Sequence, residues 1–134
     1  MKTGLFTALL LGVVLAGSSL AAGESWTGSY TDKKFLNGQA VFQLNVVQEA
    51  ETISVDFNGV YNDGHGCAPH GNGPAKVVDQ NTLKFTFTDS AGDSGTGTIK
   101  RDASGVLLSI KPGRIADRHC TVFYRENIRL HPAQ

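Results

Sequence analysis

Residues able to bind a metal, move a proton or form a cross-link crowd into one stretch, Tyr61 to Pro74, which reads Tyr-Asn-Asp-Gly-His-Gly-Cys-Ala-Pro-His-Gly-Asn-Gly-Pro. Two of the four histidines, His65 and His70, lie there with Asp63, Cys67 and Pro69. Loops longer than ~12 residues with no structure of their own are uncommon and often functional, so the stretch predicts a long binding loop. Imidazoles from His65 and His70, with Asp63 or His119 as a further ligand, offer a surface site for zinc or copper. Two features oppose that site. The flanking glycines leave a backbone that must be ordered on binding, and His119, next to Cys120, would point to the opposite face of a strand. The reading adopted is therefore of a protein without a cofactor, with zinc or copper as the alternative.

The N-terminus bears on the cysteines. Lys2 supplies a positive start, Leu5 to Ala16 is an apolar run, and Ser19-Leu20-Ala21 places small residues where a signal peptidase cuts. Residues 1–22 are expected to be a signal peptide, and residues 23–134 one domain. The apolar run falls short of the ~18 to 20 residues that span a bilayer, and Ser18 stands where a lipoprotein would need an acylated cysteine, so no stable membrane anchor is expected. Export to the periplasm or medium makes a Cys67–Cys120 disulfide the default pairing.

Other chemical patterns dissolve on inspection. Gly92-Asp93-Ser94-Gly95 resembles the nucleophile loop of chymotrypsin-like proteases, but the chain has half the needed length and no upstream histidine followed by cysteine. The segment Asp89 to Ser94 reads instead as a hairpin turn. Asp56, Glu49 and Glu51 sit on a polar strand face or flank a tight turn, not as a pair of glycosidase acids.

The elements that must position these residues are strands. Ile53, Val55 and Phe57 alternate with Thr52, Ser54, Asp56 and Asn58, and Leu83, Phe85 and Phe87 alternate with Thr82, Lys84, Thr86 and Thr88. Phe42, Leu44 and Val46, and Val106, Leu108 and Ile110, repeat the pattern. Weaker strands are expected at Ser25 to Thr31, Ala75 to Val78, Gly95 to Lys100 and Arg118 to Arg125, the last continuing through Ile128 and Leu130. Short separators such as Asn37-Gly38, Glu49-Ala50-Glu51, Asp79-Gln80-Asn81 and Lys111-Pro112-Gly113 force antiparallel neighbours. Eight such strands predict an all-β fold, a small antiparallel up-and-down barrel, because closure removes two open edges; a β-sandwich is the alternative.

Two resemblances add to this. Trp26-Thr27-Gly28-Ser29-Tyr30 resembles the first strand of lipocalin-like and avidin-like barrels, which implies a calycin-type barrel with Trp26 plugging one end. An arginine among Arg114, Arg118, Arg125 and Arg129 would then cover Trp26. Cys67-Ala68-Pro69-His70 resembles the protruding loop of the periplasmic inhibitor of vertebrate lysozyme, which implies that His70 enters the enzyme's catalytic cleft. The second cysteine of that family falls on Asn72 here.

Beyond the leader there are 11 basic and 12 acidic side chains, a formal charge of −1, so bulk charge points to neither nucleic acid nor an anionic membrane. The distribution is uneven, −5 from Gly23 to Ser94 and +4 from Gly95 onward. Together these readings describe an exported binding module without catalytic activity that meets an extracytoplasmic protein partner. An inhibitor of a cell-wall-degrading enzyme such as lysozyme is its most specific form. The alternative is a periplasmic zinc or copper binder, and the third reading is a structural or envelope-stress protein.

Overall fold

Side chains that alternate between apolar and polar build strands with one dry face, and eight such strands close on themselves in the computed structural model, which describes residues 23–133. The expected leader lies outside the described residues. The strands are β1 (Gly28–Lys34), β2 (Ala40–Glu49), β3 (Thr52–Tyr61), β4 (His70–Asp79), β5 (Thr82–Asp89), β6 (Ser94–Asp102), β7 (Gly105–Arg114) and β8 (Ile128–Pro132). Each pairs antiparallel with the next, and β1 pairs with β8 through Tyr30 opposite Pro132 and Thr31 opposite His131. The Ala133 N–H adds a bond of 2.9 Å to the Ser29 carbonyl at this seam. The fold is an up-and-down barrel and not a sandwich.

The interior is filled by rings. Phe42, Phe57, Phe85 and Phe123 are at most 1% exposed, and Phe42 stacks on Phe57 with centroids 5.9 Å apart while Phe87 meets Phe57 edge-on at 5.0 Å. Glycines make the room. A Cβ at Gly97 would collide with the Phe85 ring, and one at Gly71 would lie 2.6 Å from Phe57. A barrel of about eight strands is just wide enough for its own side chains or one small ligand, and here the side chains take the space.

The two ends differ in kind. At one, two-residue turns (Ala50-Glu51, Gln80-Asn81, Ala103-Ser104) join strands directly, and Trp26 is 4% exposed beneath the Arg101 guanidinium, 3.8 Å from the ring centroid. Arg101 donates to the carbonyls of Gln80 (2.7 Å) and Ser25 (3.1 Å), and so ties the N-terminal segment across that mouth. The arginine expected over Trp26 is thus Arg101, from β6, and not one of the four named C-terminal arginines. At the other end lie a single turn, α1 (Phe35–Gly38), the loop 62–69, the turn 90–93, and a segment 115–127 that contains a 3-10 turn (Arg118–Phe123).

Four local expectations are corrected. The first strand begins at Gly28, not Ser25. Residues 70–74 belong to β4, because Gly71 and Gly73 mark close approach and not a turn: a Cβ at Gly73 would strike the Thr86 carbonyl. Lys111-Pro112-Gly113 stays within β7, where Pro112 opposes Gly95 beside a bulge, a position that needs no proline N–H. Arg118 to Arg125 is not a strand, because the Asp117 side chain accepts the His119 N–H and starts a 3-10 turn.

If the rings share one filled interior, Phe57→Ala should lower unfolding free energy by about 3–5 kcal/mol in urea denaturation. A loss under about 1 kcal/mol would mean that the interior is loosely occupied.

Candidate functional site

Long connections collect at one end of the barrel, and a Cys67–Cys120 disulfide, with Cα atoms 5.2 Å apart, joins two of them. Cys67 lies in the β3–β4 loop and Cys120 in the 3-10 turn, not in a last strand. Phe123, three residues beyond Cys120, reaches into the barrel mouth, stacks on Phe35 at 5.6 Å and packs over Gly59, where a Cβ would collide with its ring. Tyr61 meets the same ring edge-on at 5.5 Å. Asn62 braces the loop from the other side, donating through Nδ2 to the Gly38 carbonyl (2.8 Å) and through its N–H to the Gln39 carbonyl (2.9 Å).

A buried carboxylate holds the crossover. Asp93 is 1% exposed, yet its two oxygens are used: Oδ1 accepts the Ala116 N–H at 2.6 Å, and Oδ2 accepts the Tyr124 hydroxyl. These bonds compensate an otherwise costly burial and fix both sides of segment 115–124 to the β5–β6 turn. Burial pushes the Tyr124 phenol well above its ordinary range, and the Asp93 hydrogen bond adds to the shift. Nothing local distinguishes Asp93 from a surface turn aspartate in the sequence, because its partners are 23 and 31 residues away.

The site residues singled out from the sequence are dispersed around this end. Asp63 and His65 lie in the loop, where the His65 N–H bonds Asp63 Oδ1 at 3.1 Å, the imidazole pairs with the same carboxylate, and the ring lies 4.3 Å from that of Tyr61. Pro69 ends the loop, its carbonyl accepting the Gly59 N–H at 3.0 Å. His70 is a strand residue, opposite Asn58 in β3, with Nε2 on Asp56 Oδ2 at 2.9 Å and its N–H on Asp89 Oδ2 at 2.8 Å. It therefore lies on the barrel wall and does not tip a projecting loop, because the ladder between β3 and β4 extends to it.

His119 sits in the 3-10 turn, exposed, with Nδ1 on Asp117 Oδ1 at 2.9 Å. Each of the three histidines thus has its own aspartate, and the three imidazoles do not converge. Among the described residues the one group of three candidate metal ligands is Cys67, Asp117 and Cys120, whose sulfurs are bonded to each other.

The electrostatics reinforce the two loop clasps. Hydrogen bonding from the His65 imidazole holds Asp63 below the usual carboxylate range, and the His119 N–H followed by its imidazole does the same for Asp117. For a depressed carboxylate the stabilisation is complete above the ordinary value of 3.8 and is lost as pH falls beneath it. Beside the loops, a polar cleft of about 610 Å³ runs between α1 and segment 122–129. Three of its lining residues, Leu36, Asn37 and Asn127, hold φ near +57°, a conformation that asparagine adopts readily but that costs a leucine strain.

With this geometry in view, the chain matches no family model, no curated protein and no solved structure.

Tyr124→Phe leaves one Asp93 oxygen without its donor and should cost about 1–3 kcal/mol at neutral pH. Because the folded phenol resists ionisation, the native protein should lose stability as pH rises above the ordinary tyrosine value of 10.0. That alkaline loss should be shallower in the variant. Urea unfolding at about pH 7 and about pH 10.5 checks both, and parallel curves for the two proteins would remove the Tyr124–Asp93 contact from the account.

Proposed function

We propose that the protein is an exported binding module, acting without catalysis, whose cystine-tied end engages an extracytoplasmic protein, and that the partner class is a cell-wall-degrading enzyme such as a lysozyme. One observation carries this reading. The interior is occupied by phenylalanine rings while the loops at one end are held ready-made by a disulfide, a buried carboxylate and two aspartate-clasped turns. Loops fixed before contact lose little freedom on binding, which is how a small surface gains affinity.

Within this surface His65 and His119 flank the bridge, each exposed and each oriented by an aspartate. An imidazole so presented suits a carboxylate-lined cleft, where a charge-assisted hydrogen bond to a catalytic acid would block substrate. Of the two histidines in the Tyr61 to Pro74 stretch, His65 is the one carried by the loop, whereas His70 lies on the barrel wall in β4. Periplasmic residence fits the disulfide, because such bonds persist in oxidising compartments.

Turnover assays test the reading. Mature protein should slow at least one member of a lysozyme panel, and His65→Ala should weaken that inhibition by about tenfold or more with little change in melting temperature. The double variant Cys67→Ser, Cys120→Ser should lose about 4 kcal/mol of stability, as expected for a loop of this length, and inhibit poorly even where it is folded. Full activity of every lysozyme at saturating protein would refute the partner class.

A further inference from the structure

Four lysines share one part of the barrel wall, two of them from the acidic N-terminal part of the domain and two from the basic C-terminal part. Outward positions of β4 to β7 carry Lys76, Lys84, Lys100 and Lys111, all exposed, and among the described residues none of the four forms an ion pair. Lys76 stands directly opposite Lys84 across the β4–β5 ladder. Like charges so placed destabilise a sheet, and no acid stands between them. Lys84 opposes Thr98, two residues from Lys100 on the same face of β6, so a third ammonium lies on the diagonal. Three acids lie nearby: Asp102 is taken by Arg129 at 2.8 Å, Asp79 shares a cross-strand row with Lys100 through Thr82, and Glu126 lines the depression between the lysines, leaving the lysines in excess.

Hydroxyls fill the space between the charges. A shallow depression of about 370 Å³ is lined by Lys84, Lys100 and Lys111 with Thr98 and Ser109 between them and one carboxylate, Glu126; Thr98 stands opposite Ser109, and Thr96 opposite Lys111. From Lys76 on β4 to Lys111 on β7 there are three inter-strand steps of ~4.8 Å, so the ammonium groups are spread out and do not converge on one point. A single small anion would meet at most one or two of them. A polymer with a charge on repeated units could meet all four while its hydroxyls bond the threonines and Ser109. Lysine suits such a ligand because its ammonium is a point charge that accepts carboxylates from many directions.

We propose that the outer wall of β4 to β7 is a second binding surface, specific for acidic, carboxylate-bearing polysaccharide. It is separate from the cystine end and does not depend on the function assigned to that end. The facing Lys76 and Lys84 cost stability in the free protein, and a polyanion lying across them would relieve that repulsion.

Polygalacturonate is the probe, titrated against mature protein, with dextran as the neutral polymer and phosphatidylglycerol vesicles and inorganic phosphate as other anion sources. Binding to polygalacturonate alone, weakened by about tenfold or more when salt shortens the screening length, is expected. The triple variant Lys84→Gln, Lys100→Gln, Lys111→Gln should lose that binding, whereas Lys33→Gln, Lys34→Gln on β1 should keep it. The single variant Lys84→Gln should bind more weakly yet melt no lower than the parent, since it removes the facing like charge. No binding to polygalacturonate, equal loss in the β1 variant, or tighter binding to vesicles or phosphate than to the polymer would each overturn the proposal.

Discussion

An eight-stranded cylinder must fill its own bore, and the rest of this structure follows from how that is done. Phe42, Phe57, Phe85, Phe87 and Phe123 occupy the axis, and glycines at 59, 71 and 97 stand where any Cβ would meet a ring. With the bore occupied, a ligand is left the ends and the walls. That constraint explains Gly71 of β4 and Gly97 of β6, whereas Gly73 and Gly95 meet the backbone of the neighbouring strand; both kinds look like turn composition in the sequence but serve close approach inside a sheet.

The two ends resolve the remaining problem in opposite ways. Minimal turns and the Trp26–Arg101 stack seal one mouth with little exposed loop. The other mouth is sealed by Phe123, which arrives on a long crossover that has no ladder to hold it between Ile115 and Asn127. Holding that crossover takes three separate devices: the cystine to the β3–β4 loop, the Asp93 bonds to Ala116 and Tyr124, and the Asp117 cap on the 3-10 turn. This fixation keeps Phe123 in the mouth, and Asp93 is the one buried charged side chain among the described residues.

The architecture was legible because period-two alternation is a local property that the closed barrel preserves strand by strand: Ile53, Val55 and Phe57 face inward as their spacing requires. Strand number follows from the same alternation, closure from the two edges an open sheet would leave, and the cystine partners from there being only two cysteines. The site was less legible. Gly71, Asn72, Gly73 and Pro74 carry turn chemistry that puts His70 in a loop on sequence grounds, and only groups in other strands explain the glycines: the Phe57 and Phe87 rings against Gly71 and the Thr86 carbonyl against Gly73. Arg118 to Tyr124 has the apolar spacing of a strand, yet Asp117 caps it into a 3-10 turn. The roles of Asp93 and Arg101 rest on contacts 21 to 77 residues away in the chain, which no local pattern encodes.

The proposed function places partner contact on loops already fixed at the cystine end and leaves the bore uninvolved. Amide hydrogen exchange of the mature protein, alone and with a saturating lysozyme, locates that contact most directly. Slowed exchange confined to residues 62–68 and 115–124 is the predicted result. Slowing at the Trp26 end, slowing spread through the interior-facing strands, or no slowing at any amide would contradict it.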